Sequence, residues 1–394
     1  MRDVAIVGGG VTKFGVRAAT WKELVQEAGK ATFEDVPGLD RKEVDSLFVG
    51  AAEPERFAFQ SHVAPLAAEQ VGVKPWRMIQ RVELACASGQ AAIRSAWLAV
   101  ATGLSDVSLV LGVEKMNIPN PAEIQSSMAC VLDREWDGVH GASAPPFFAL
   151  CAQRHMHEYG TTRDDLTQVR VKAGRYAATN PYAHYPKAFD KAKIESSVEI
   201  APPLRLLDCS GITDGAAGVI VTTAERARRL TDRPMYVWGG AQAVEGHNLA
   251  SFPSYTTWEA ARRASKEAHA LTGTSPRDVD VAQIHDCFTI SEIILTEDLG
   301  FAEKGKGAAF IRDGQTMVGG EVAVNTDGGL LGRGHPIGAT GVAQAVELVR
   351  QFQGKVPRER QVEEPRVALA HNLSGSANAH SILIYGDAPR GGLT

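Results

Sequence analysis

The 394-residue sequence predicts an α/β protein built from two similar halves. Three observations carry that expectation. Apolar, strand-like runs alternate with helical spacings along most of the chain. The alternation restarts in the second half in the same order, so that GHPIGATGVAQAVELV fills the slot that ACASGQAAIRSAWLAV fills in the first. GSANAHSILIYG likewise echoes ITDGAAGVIVTT.

VAIVGGG opens the chain as a strand and a glycine turn. A dinucleotide-binding turn would need a third glycine three residues after Gly10; Lys13 stands there, so no nucleotide site is expected. Helical spacing over 21–33 puts Leu24, Val25, Ala28 and Ala31 on one face. Residues 44–51 read as a strand and 64–71 as a helix. MIQRVELA is strand-like and leads straight into Cys86, small residues and a helical pattern to Val100. VSLVLGVEKM follows as a buried strand.

From Asn117 to about Leu207 the alternation fades and prolines and aromatics become dense. This stretch reads as an inserted loop domain over a site, the usual place for substrate selection. His155 and His157 diverge around the helix 147–159 and are expected to pack, not to share a metal. His140, in a loop beside Gly141, is a candidate pocket residue. LLDCSGITDGAAGVIVTT closes the first half, with Cys209 in a structural role. The second half runs through the strand YVWGGAQAV, a helix over 257–272, the strand VDVAQIHDCF and the helix ISEIILTEDLG. A glycine loop and helix then precede two closing strands. The expected division is 1–116 with 208–232 as the first half, 117–207 as the insert and 233–394 as the second half.

Composition excludes several function classes. Net charge is −5 and no basic block suggests a nucleic-acid surface. An anionic ligand must therefore meet local Arg and Lys. No apolar run reaches membrane-spanning length, and MRDVAIVGGG reads as a strand, not as a signal sequence. The five cysteines are scattered, odd in number and lack C-x-x-C, which argues against disulfides and zinc and for a reducing, cytoplasmic setting.

A lone buried cysteine is more often inert than reactive. Cys86 is different in its position, at a strand-to-helix junction where N–H groups converge and the helix dipole favours an anion. Four strand ends followed by tight turns share this design: Ala85-Cys86-Ala87, His285-Asp286-Cys287-Phe288, Gly334-His335-Pro336 and His371-Asn372. Two halves packed together can bring them to one point. A thiol, an imidazole and a second thiol make a plausible set for acyl transfer. Burial raises the Cys86 pKa while an imidazole and a helix N-terminus lower it; the chemistry is expected to need the lowering to win.

At this point the sequence resembles the thiolase family, over essentially the whole chain. NTDGGLLGRGHPIGATG looks like the family's Asn-x-x-Gly-Gly…Gly-His-Pro block, with Asn325 and His335 at its marked positions. HDCF replaces the Asn-Glu-Ala-Phe of the main branch and resembles the sterol-carrier-protein and archaeal branch. His371-Asn372-Leu373 stands where the main branch has Cys-x-Gly.

The resemblance implies a five-layered αβαβα fold and an acyl-CoA C-acyltransferase. Cys86 would attack, His335 would take its proton, and Cys287 would move the proton on the α-carbon. His285 would position a water in one oxyanion hole. Backbone N–H groups at Cys86 and near Leu373 would form the other. His371 and Asn325 would support, and Arg205 would meet coenzyme A phosphates. Coenzyme A enters as substrate, with no permanently bound cofactor and no metal. A homodimer is implied, and a small zinc-ribbon/OB-fold partner subunit is a further expectation from the branch. The sterol-carrier lipid domain of some relatives is expected to be absent, since the sequence stops at Thr394.

The insert suggests a bulky, aryl or dicarboxylic 3-oxoacyl-CoA, as in thiolases of the benzoylsuccinyl-CoA type. Acetoacetyl-CoA thiolase, a ketosynthase-like condensing enzyme and a non-catalytic scaffold subunit are the alternatives. Retro-aldolases of this superfamily lose the nucleophilic cysteine, and Cys86 argues against that reading.

Overall fold

The computed structural model describes residues 1–390, so the last four residues of the expected second half lie outside the described ones. The first half runs β1 (Val4–Val11), α1 (Trp21–Asp35), β2 (Ser46–Gly50), α2 (Pro54–Phe57), α3 (Val63–Val71), β3 (Met78–Val82), α4 (Ser88–Thr102) and β4 (Val107–Glu114). The insert carries α5 (Pro121–Met128), α6 (Ala144–Tyr159), α7 (Arg163–Ala177), α8 (Lys191–Glu195) and a hairpin of β5 (Glu199–Ala201) and β6 (Leu204–Arg205). β7 (Gly215–Thr223) and α9 (Ala224–Leu230) complete the first half. The second half follows with β8 (Met235–Val244), α10 (Glu259–Thr272), β9 (Val281–Gln283), α11 (Thr289–Asp298), α12 (Gly307–Arg312), β10 (Ala323–Val324), α13 (Gly329–Gly332), α14 (Thr340–Phe352), β11 (Val367–Ser374) and β12 (Ala379–Gly386).

The strand order confirms the repeat. The main sheet runs β10-β9-β11-β12-β8-β1-β7-β4-β2-β3. Read outward from the junction, each half has its first strand innermost, then its fifth, fourth, second and third. The halves join through a short antiparallel ladder, Val4–Val237 to Ile6–Met235. α4 and α14 touch each other and strands of both halves, so the sheet folds over them. α1 and α3 cover the outer face of the first half, and α10 packs on β8 and β12 of the second. The five layers are therefore present, with the two sheet layers hydrogen-bonded at one edge.

Strand alternation explains the burial on both faces. Ala5 and Val7 enter the outer core with Leu24 and Val25, while Val4 and Ile6 face the central helices with Val346 and Val349. The central helices approach closely. A Cβ at Gly89 would lie 2.7 Å from the Gly338 carbonyl oxygen, so the start of α4 can abut the glycine loop before α14 only as glycine.

Two expectations need correction. The insert is not mainly loop. Pro121, Pro145 and Pro146 stand in the first turns of α5 and α6, where a missing N–H costs nothing, and Phe147 and Phe148 are buried on α6. α7 opens on a Thr162–Asp165 capping box and packs against α11, α12 and α13, with a buried Lys172–Glu292 ion pair between them. The strand at VDVAQIHDCF spans only Val281–Gln283, and His285 to Phe288 lie beyond its end.

Candidate active site

Cys86 lies in a tight turn, Ala85–Ala87, that runs directly into α4. Ala85 sits at φ +43°, a left-handed conformation unusual for a residue with a side chain. Ser88 holds the turn: its hydroxyl accepts from the Leu84 N–H at 2.9 Å and donates to the Ala85 carbonyl at 2.6 Å.

The second half brings its histidines to this sulfur. Donor atoms of Cys86, His285 and His335 all lie within 4.8 Å of one another, and all three residues are buried. The two imidazoles meet edge to face, with centroids 4.8 Å apart and planes at 90°. Cys287 lines the same cavity, of about 140 Å³, with Leu373 and Gly375. Those three donors are also a set that a soft metal ion could accept.

Local bonds place each group. His335 Nδ1 lies 2.7 Å from Thr340 Oγ1, and the His335 N–H donates to Thr213 Oγ1 at 3.1 Å. Gly334, at φ +107°, makes the turn before it. Asn325 does not line the cavity; its Oδ1 accepts from the Ile284 N–H at 2.8 Å and so fixes the residue before His285. Asp286 Oδ1 accepts from the Leu330 N–H at 2.7 Å, tying the HDCF block to the glycine loop. The Ser210 N–H donates to the Cys287 carbonyl at 2.9 Å. Both ring nitrogens of His285 are buried without a protein partner, as suits a group that holds a small polar ligand or water.

Electrostatics overturn one expectation. Burial, then Glu53 and Glu114, push the Cys86 thiol up to about 12; the N–H groups of Cys86 and Gly375 pull the other way and lose. Burial and then Arg333 bring His335 down to about 3. His285 is held well below the usual range by burial and then by His335. Cys287 is raised well above its usual range by burial and then by Cys86. The resting site is thus a neutral thiol beside a neutral imidazole, not a thiolate–imidazolium pair.

Besides Asn325, three expected residues are not brought to the cavity. His371 lies behind it, its Nε2 2.9 Å from His380 Nδ1, and His380 Nε2 donates to the Ala377 carbonyl at 2.9 Å. His140 is exposed in a short turn, Gly138–His140. Arg205 donates to the Ser197 carbonyl at 2.8 Å and pairs with Glu199 at 3.8 Å across the β5–β6 hairpin. His155 packs as expected, buried against Thr161 and Glu297.

Other residues escaped the sequence reading. The N–H facing Cys86 belongs to Gly375, and Leu373 stands two positions before it, the spacing of Cys-x-Gly. Leu373, and not His371, thus lines the cavity. Cys209 also lines the cavity, while its Sγ donates to the Arg205 carbonyl at 3.4 Å. Thr340 lay inside the glycine block without an assigned role, and Glu114 carried no motif at all. All five cysteines are free.

Comparison with known proteins agrees with this architecture. Residues 4–196 match the family described as "Thiolase, N-terminal domain" and residues 241–387 match "Thiolase C-terminal domain-like". An acetyl-CoA acetyltransferase of Methanothermobacter thermautotrophicus is 41% identical, across 98% of this chain and 100% of that protein. Benzoylsuccinyl-CoA thiolase subunit BbsB of Thauera aromatica is 34% identical, across 96% and 97%. Among solved structures, the Ltp2-ChsH2(DUF35) aldolase superposes with TM-score 0.85 at 28% identity, covering 98% of each chain. The chain belongs to the thiolase family. Its enzyme class is acyltransferase. Among the described residues no helix is long and apolar enough to cross a membrane.

Proposed function

We propose that this enzyme cleaves a 3-oxoacyl-CoA with coenzyme A, or runs the reverse Claisen condensation, through an acyl group carried on Cys86. One observation carries the reading: a buried thiol with two imidazoles within 4.8 Å, in a cavity that a second thiol also lines. His335 takes the Cys86 proton as sulfur attacks the ketone carbon. The bond between the α- and β-carbons breaks and its electron pair goes to the α-carbon. Cys287 protonates that carbon and the shortened acyl-CoA leaves. The thiol of coenzyme A then attacks the acyl-Cys86 thioester, giving its proton to the Cys287 thiolate, while Cys86 recovers its own from His335. N–H groups of Cys86 and Gly375 stabilise the tetrahedral oxyanion, each such donor worth roughly 3–4 kcal/mol. His285 holds a water for the other oxyanion, and Asn325 acts by positioning it.

The 3-oxoacyl-CoA is bulky, aryl or dicarboxylic in this reading, a choice supported by the benzoylsuccinyl-CoA thiolase subunit at 34% identity. Acetoacetyl-CoA is the second reading, favoured by the name of the 41% identical relative. The halves 1–116 with 208–232 and 233–394 build the chemistry, and 117–207 covers it. A homodimer is proposed, in a reducing cytoplasmic setting suited to five free cysteines. A small zinc-ribbon/OB-fold partner is proposed as well, supported by the "subunit" and "DUF35" wording of two similar proteins. The aldolase name of one neighbour raises retro-aldol cleavage, which the retention of Cys86 disfavours. Intact mass after mixing with an acyl-CoA tests the reading: an acyl adduct on Cys86 is expected, lost in Cys86→Ala. No adduct on folded protein sinks it.

A further inference from the structure

We infer that the acyl group carried on Cys86 is uncharged and apolar, of about six carbons, so that ω-carboxylated acyl groups are rejected. This rests on the thiolase reading above. It narrows that reading by removing dicarboxylic substrates whose distal carboxylate would travel with the acyl group.

The cavity beside Cys86 is about 140 Å³. An apolar cavity of roughly 150 Å³ holds a benzene molecule. An acetyl group would leave most of this one empty, and unfilled space forfeits contacts. Its walls beyond the reacting groups include the large apolar side chains Met116, Met128, Val131, Leu132 and Phe148, with the hydroxyls of Ser143 and Ser210 as uncharged polar groups. Phe148 is fixed by stacking on Phe288, with centroids 4.3 Å apart and planes at 21°. The methionines are adaptable and let the cavity fit branched or ring-shaped groups.

No Asp, Glu, Lys or Arg lines this cavity among the described residues. Its two imidazoles are held neutral by burial. An ionised carboxylate inside would therefore be desolvated with no cationic partner, only the neutral side-chain donors Ser143, Ser210 and Gln125, and such a group is disfavoured. Gln125, which also lines it, is exposed and supplies no charge.

Thiolysis by the full chain, with a series of 3-oxoacyl-CoAs, tests this. Acetoacetyl-, 3-oxohexanoyl-, 3-oxooctanoyl- and 3-oxo-3-phenylpropionyl-CoA deliver neutral groups; 3-oxoadipyl-CoA delivers one ending in a carboxylate. The expected kcat/KM rises about fourfold per added carbon up to six carbons or a phenyl ring. The carboxylated substrate is expected to fall on the order of 100-fold below a neutral chain of equal length. Leu132→Trp is expected to lower hexanoyl transfer at least tenfold more than acetyl transfer. Val131→Arg is expected to raise the use of 3-oxoadipyl-CoA relative to its neutral counterpart, and it keeps the test open if the tryptophan variant misfolds. A preference for acetyl over every larger group, or equal use of the carboxylated substrate, overturns the inference. Adduct mass separates the two levels: no adduct from any of these substrates would sink the thiolase reading itself, whereas an acetyl adduct without a gain in rate for larger groups sinks only this one.

Discussion

Thr340 Oγ1 lies 2.7 Å from His335 Nδ1 while its own hydrogen goes to the Pro336 carbonyl, 3.0 Å away. A hydroxyl has one hydrogen, so toward the imidazole Thr340 can only accept. Nδ1 therefore carries the ring proton, and Nε2 keeps the free lone pair that a base needs. Helix α14 fixes this choice, since Thr340 is its first residue. Thr340→Val keeps the shape and removes the acceptor. It is expected to lower kcat about tenfold, the weight of one such bond, with KM little changed. Thr340→Ser should restore most of the loss. Steady-state thiolysis kinetics check this, and an unchanged kcat in the valine variant would show that the tautomer is set elsewhere.

The neutral pair at Cys86 and His335 has a signature in pH. The thiol is pushed up to about 12, from an ordinary value near 9.0, chiefly by burial. A raised thiol pKa means that the thiolate is scarce at neutral pH and grows as pH rises. Alkylation of Cys86 by iodoacetamide in the free enzyme should therefore speed up about tenfold per pH unit from pH 7 to 10. A thiolate–imidazolium pair would instead give a rate independent of pH across that range. Peptide mapping distinguishes Cys86 from the exposed Cys130, which will react as well.

Ala85 holds a conformation that puts Cys86 at the mouth of α4. Its φ of +43° is tolerable for alanine and poor for a β-branched residue. Ala85→Val is expected to cost about 1–2 kcal/mol of stability and, by shifting the sulfur, about 100-fold in kcat. Ala85→Gly should retain activity. Thermal unfolding together with turnover checks both, and a fully active valine variant would show that the turn tolerates the strain.

Much of this arrangement was legible in the chain because the two halves repeat. Cys86 and His335 stand at matching junctions before α4 and α14, and the repeat alone suggested that they meet. HDCF was legible as a strand end, although the strand itself stops at Gln283. What stayed hidden depends on contacts across long sequence separations. His371 and Leu373 differ by two residues on one strand, so composition could not say which side chain lines the cavity; only the Gly375 N–H at Cys86 fixes the register. The insert read as loop because prolines at helix starts look like loop prolines until the helices are seen. Arg205 had the right charge for a phosphate but spends it on its own hairpin.

Glu114 shows the same limit, and it supplies the last prediction. In the sequence it is one acidic residue at the end of a strand. In the fold it is fully buried, and its carboxylate accepts from the Ala52 N–H at 2.8 Å, the Gly338 N–H at 3.1 Å and the Glu53 N–H at 3.3 Å. It thus clamps the loop after β2 to the glycine loop that carries His335, directly behind Cys86. Glu114→Ala would leave three buried N–H groups unpaired and is expected to cost about 3–5 kcal/mol. Glu114→Gln keeps an acceptor oxygen and should cost about 1 kcal/mol. Burial raises the Glu114 pKa from 4.5 to about 8. Between those values the folded chain holds a proton that the unfolded chain has released, so this group's contribution to stability falls as pH rises through that window. Gln cannot titrate. The stability deficit of Glu114→Gln relative to the parent should therefore shrink from pH 5 to pH 8, as read from denaturant unfolding at both values. A deficit that grows over the same range would mean that the carboxylate is ionised in the folded chain.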